Sequence, residues 1–175
     1  LYSKFAYRKF YTESRREFKV PEIHSGFVPQ GLTFDEEKNL FLMSGYLSGS
    51  NLSSLYLISP DGQSKKIMVF NPDGSDFKNH AGGVSVYGSC IYIAGCDGKC
   101  YIVEMEKEGF PETGGNRAMV TGSFEVNNNA DFCYIKEGKL YVGEYYHAFQ
   151  YPTDETHHLV TPSGDKNNAI LTVYA

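Results

Sequence analysis

The stretch GEYYHAFQYPTDETHHLVTPSGDKNNAI, residues 143 to 170, holds the side chains best suited to chemistry: Glu144, His147, Tyr151, Asp154, Glu155, His157, His158 and Asp165. Histidine changes charge near neutral pH, so imidazole beside carboxylate can bind a divalent cation or move a proton. Neighbouring side chains on an extended chain point to opposite sides, so one of His157 and His158 at most faces any given site. No HxH, HExxH or CxxC spacing is present, and spacing therefore selects no metal.

A second set of polar residues is scattered but has a common neighbourhood. Gln30, His80, Asn129 and Asp131 each lie beside small residues: Gly31, the run Ala81, Gly82 and Gly83, and Ala130. Small residues let backbones approach closely, and polar side chains at that level would converge on whatever lies between them. The competing role for each is to cap a turn and satisfy a backbone group. Tyr145, Tyr146, Phe149 and Tyr151 either form a stacking platform for a sugar or peptide or pack between sheets.

The four cysteines suggest structure before chemistry. Cys96 and Cys100 flank Asp-Gly-Lys, a turn that brings them within reach of a disulfide, whereas Cys90 and Cys133 sit in strand-like runs as small hydrophobes. A zinc site needs tighter pairs and more ligands.

The elements that must position these residues are strands. The chain has 14 Tyr, 12 Phe, 18 Gly and no Trp, a composition suited to short strands and tight turns. PQGLTFDEEKNLFLMSGYLSGSNLSSLYLISPDG gives a strand, a polar turn, a second strand, and a third ending in Pro-Asp-Gly. HAGGVSV…IYIAG…YIVEM repeats that order, and so does NNADFCYIKEGKLYVGEYY with AILTVYA. Leu40, Ile91 and Leu140 mark a period of about 50 residues.

KKIMVF and AMVTGSFEV supply fourth strands for the first two units, and the third unit stops after its third. The expected class is all-β: a partial β-propeller of about three blades of four antiparallel strands, at about 26–74, 79–126 and 128–175. EFKVPEI, 17 to 23, reads as an outer strand opening the 17–175 domain. Residues 1–16, with Lys4, Arg8, Lys9, Arg15 and Arg16, read as a juxtamembrane-like segment with a short helix within its first 12 residues. A propeller closes with about four to eight blades, so the expected ring needs self-association or further blades.

A formal net charge of -5 argues against binding a nucleic-acid backbone, which requires clustered Lys and Arg. P-loop, dinucleotide-binding and nucleophile-elbow motifs are all missing.

PQGLTF, NHAGGVSV, LYVGEYY and HHLVTPSGD resemble an uncharacterised group of exported or membrane-anchored β-propeller proteins of Gram-positive bacteria, and more distantly gluconolactonase and YVTN-type propellers. The closer resemblance implies an extracellular or cell-surface location and an N-terminal anchor, consistent with a first residue that is Leu and with the basic run. The lactonase-like propellers hold a divalent cation such as calcium with Glu, Asn and Asp from separate blades. Glu144, Asn129 and Asp131 match by type but come from one unit.

Two functions follow. One is a binding or scaffold module without a cofactor, taking a small molecule, glycan or peptide through Gln30, His80, Asn129, Asp131, Glu144, Tyr145, His157, His158 and Asp165. The alternative is a metal-assisted hydrolase of the lactonase type, with His80 or His158 as base.

Overall fold

A computed structural model describes residues 6–15, 17–105 and 116–175. Apart from a short exposed helix, α1 (Arg8–Glu13), and one 3-10 turn at Glu155–His157, regular structure there is all β. The first repeat supplies β1 (Phe27–Asp35), β2 (Leu40–Leu47), β3 (Ser53–Ile58) and β4 (Ser64–Phe70). The second supplies β5 (Gly83–Tyr87), β6 (Cys90–Ala94), β7 (Lys99–Met105) and β8 (Arg117–Glu125). The third supplies β9 (Phe132–Lys136), β10 (Lys139–Gly143), a small hairpin of β11 (Leu159–Val160) and β12 (Lys166–Asn167), and β13 (Leu171–Tyr174).

Within each repeat the strands form an antiparallel meander, as local alternation and tight turns dictate. Glu137 and Gly138, at φ 53° and 72°, make the two-residue loop between β9 and β10, and two positive φ values match the right-handed twist of the flanking strands.

The repeats do not stay separate. β4 and β8 pair in parallel, Met68 to Phe70 against Arg117 to Met119, so the first eight strands form one sheet in the order β1-β2-β3-β4-β8-β7-β6-β5. Its two end strands, β1 and β5, lie against each other, leaving a nearly closed, barrel-like sheet. The expectation of three separate four-stranded sheets is corrected accordingly: two repeats are fused, and the third sheet has three strands in the order β13-β10-β9. Both β4 and β8 would otherwise be edge strands with a row of unpaired amides, and pairing them removes two edges at once.

The segment 17–23 forms no strand, a second correction. Pro21 opens a turn in which Glu22 takes φ 49°, and the Glu22 carboxylate binds Lys66 Nζ at 2.7 Å. Phe18 and Val20 still use their alternation to pack on the outer cluster of Phe27, Met43, Tyr56 and Ile58.

Three apolar clusters separate four layers: segment 17–23 and then the three repeats. Leu42, Leu55, Leu57, Ile67 and Val69 of the first repeat meet Val84, Ile91, Ile93, Val103, Ala118 and Val120 of the second. Leu55, Ile67, Ile93 and Val103 are fully buried there, each worth about 1.5–3 kcal/mol relative to exposure. Ala94, Cys100, Tyr92 and Phe124 meet Cys133, Leu140, Val142 and Tyr174 of the third.

Strand register makes the repeats superimposable on paper: Gly31 faces Ser44, Gly83 faces Ala94 and Phe132 faces Gly143. By that alignment Leu42, Tyr92 and Tyr141 are equivalent. The first two point at the next repeat, whereas Tyr141 stands on the outer face of the third sheet with the exposed Phe132, Tyr134, Leu171 and Val173.

Candidate functional site

The repeats come closest at the starts of β1, β5 and β9. A Cβ on Gly31 would stand 2.8 Å from Val84 N, and one on Gly83 would stand 2.5 Å from Cys133 N. Neither separation is tolerable, so these positions fix the spacing between repeats.

Just before that contact, the same local turn occurs twice. In Asn79-His80-Ala81 and Asn128-Asn129-Ala130, the Asn Oδ1 accepts from the Ala N–H two residues on, at 2.9 Å in both, and the alanines take φ 51° and 55°. An Asn side chain that bonds its own backbone two residues on fixes the turn. The middle residues, His80 and Asn129, are thereby turned to one place. Gln30 reaches it from a bulge in β1 between Pro29 and Gly31.

They open onto a cavity of about 580 Å³ that Gly82, Cys96, Asp131, Phe132, Tyr145, Tyr151 and Pro152 complete. Asp131 accepts from the Tyr145 N–H at 2.7 Å, which fixes the carboxylate. The Tyr145 and Tyr151 rings lie 5.9 Å apart, tilted by 57°. Tyr151 is held by a tight turn in which its backbone and that of His147 exchange two hydrogen bonds, at 2.8 and 2.9 Å. His80 stacks on Tyr46 of the first repeat at 4.9 Å. No Lys or Arg lines this cavity, and among the described residues Asp131 makes no ion pair.

Five of the residues expected from sequence therefore meet: Gln30, His80, Asn129, Asp131 and Tyr145. Four do not line the cavity. Glu144 is buried behind its wall, where its carboxylate accepts from His157 Nδ1 at 2.8 Å, the Ile170 N–H at 3.1 Å and the Asn129 N–H at 3.2 Å. His158 donates from Nε2 to Thr153 Oγ1 at 3.0 Å, because that hydroxyl gives its own proton to the Asn168 carbonyl. Asp165 belongs to the turn joining β11 and β12, where it accepts from Ser163 Oγ at 2.7 Å.

Sequence reasoning missed Gly82 and Phe132 as lining residues and weighed Cys96 only as within reach of a disulfide with Cys100; the repeated Asn-x-Ala turn was the available signal. All four cysteines are free. Cys96 takes φ 59°, and its sulfur sits by Gly82 and Asp131, whereas Cys100 is in the core opposite Ala94. Burial first, then the nearby negative charge of Asp131, pushes the Cys96 thiol up to about 12. Burial does the same to Cys100 and Cys133.

Among the described residues no group of three His, Cys, Asp or Glu converges as a metal ion would require, and no helix is long and apolar enough to cross a membrane. Compared with protein-family models, curated proteins and solved structures, the chain finds no match.

Proposed function

We propose that this chain is a binding module whose ligand sits in the cavity between the three repeats. The observation that supports the reading is the meeting of Gln30, His80 and Asn129, one from each repeat, with Tyr145 and Tyr151. Amides and a carboxylate exchange hydrogen bonds with a polar ligand, half-exposed rings stack on its apolar face, and binding sites commonly combine the two. The hydrolase reading finds less support, since Glu144 is already engaged by three donors. Ligand-detected NMR with monosaccharides and short peptides is the test. Saturation transfer from wild type to a probe that disappears with the double variant Tyr145→Ala, Tyr151→Ala is expected; equal transfer from both proteins overturns the reading.

We read the repeats as propeller blades. The three meanders follow one another through their innermost strands, β1 against β5 and β5 against β9, as successive blades do. The exposed face around Tyr141 is then the face on which a further blade packs, and a second copy of this chain supplies it: the first repeat presents the matching side, with Leu32 and Phe34 still exposed. The cell surface is the proposed location, supported by the resemblance and the basic run before residue 17.

A further inference from the structure

Resting on the reading of this cavity as a ligand site, we propose that its ligand carries an ammonium group, held between the Asp131 carboxylate and the faces of Tyr145 and Tyr151. The charge balance of the wall points this way. Asp131 brings a negative charge, no Lys or Arg offsets it, and no ion pair among the described residues consumes it. A carboxylate or phosphate ligand would meet repulsion with no permanent cation to compensate, His80 being the one lining side chain able to become a cation by taking up a proton, whereas an ammonium gains from both the charge and the negative faces of aromatic rings.

The placement of the rings adds to this. The Tyr145 backbone lies beside the carboxylate because its N–H holds Asp131, and Tyr151, its ring tilted against that of Tyr145, lines the same cavity. Gln30 and Asn129 bring amides, which serve hydroxyl or peptide groups attached to the same ligand.

An ammonium in reach of such a cavity comes from an amino sugar or from a lysine side chain, and the two sources are separable. Titration calorimetry at about pH 6, where primary amines are protonated, compares glucosamine and Nα-acetyl-lysine amide with glucose and glucuronate, and amide resonances of Tyr145 and Asn129 report the site. The better of the two amines should bind about tenfold tighter than glucose, on the scale of one cation–π contact plus one partly screened charge. Glucuronate should bind weakest. Asp131→Asn should remove the preference for the amine and leave glucose binding in place, and Tyr145→Leu should weaken the amine with the carboxylate retained. Preference for glucosamine or for the lysine derivative identifies the source, and either supports the proposal. Glucose equal to both amines, with shifts at Tyr145, overturns the ammonium assignment and leaves the cavity reading intact. No shift at Tyr145 or Asn129 with any probe overturns both.

Discussion

His157 Nδ1 lies 2.8 Å from Glu144 Oε1, joining the 3-10 turn of the long insertion to the end of β10. A carboxylate only accepts, so the imidazole donates. The Glu144 side chain is fully buried, and its other bonds reach Ile170 and Asn129 at the two flanks. Glu144 thus pins the insertion and the floor of the cavity with one group. Glu144→Ala should cost about 3 kcal/mol, as expected for several charge-assisted bonds lost from a buried site, and His157→Ala about half of that. Urea unfolding measures both. Hydrogen exchange should speed up at Ile170 and Asn129 in the first variant and stay unchanged there in the second.

Gly82→Ala should be more damaging than its single methyl group suggests. The new Cβ would press on the Asp131 backbone carbonyl and on the Cys96 sulfur. The expected loss is about 1–3 kcal/mol, the range for overpacking a closed site, with shifted amide resonances at Asp131 and Tyr145. Gly49→Ala is a control with open space around it; its φ of 88° adds local strain but leaves the cavity resonances where they are.

Thiol counting tests the cysteine geometry. Unfolded without reductant, the protein should give four thiols; two, with Cys96 and Cys100 linked in a peptide map, would mean that these two are joined. In the folded state near pH 8, Cys96, Cys100 and Cys133 should resist alkylation, because burial holds them protonated up to about 12 and only thiolate attacks.

Acid should weaken the fold through its turns. Hydrogen bonds from Ser75 and Thr156 hold the carboxyls of Asp73 and Asp154 below the ordinary aspartate value of about 3.8. A folded pKa below the unfolded one means stability fully present above about pH 3.8 and lost as pH falls through the folded value. Urea midpoints should therefore drop between pH 4 and pH 2, and Asp73→Asn and Asp154→Asn should flatten that drop while lowering the midpoint at pH 7.

If a second copy covers the third sheet, light scattering should show mass rising with concentration. Tyr141→Lys and Val173→Lys, on neighbouring strands of the exposed face, should hold the protein monomeric with unchanged circular dichroism. A wild type that remains monomeric throughout would falsify the assembly reading.

Meanders and turns were legible in the sequence because both depend on neighbours: alternation sets the face of a strand, and pairs such as Glu137-Gly138 set the hairpin. The parallel contact of Met68 with Arg117 was not, since it joins residues far apart with no local signature. EFKVPEI alternates like a strand and buries Phe18 and Val20 like one, yet finds no partner backbone. Gln30, His80, Asn129 and Asp131 could be grouped because small residues beside them announce close approach. The orientation of His157 and His158 was not legible for the opposite reason: Glu144 and Thr153 decide where they point, and neither bond leaves a spacing pattern.

The parallel seam between β4 and β8 also has a consequence in time. Each meander is a chain of local hairpins, of the kind that forms in about 1–10 μs. The seam joins Phe70 to Met119 and needs the whole second meander in place before its few bonds form, so it carries the loop-closure entropy of the barrel-like sheet. Folding should then proceed as quick assembly of separate meanders followed by one slower closure, with Arg117 to Met119 the last amides of the sheet to gain protection.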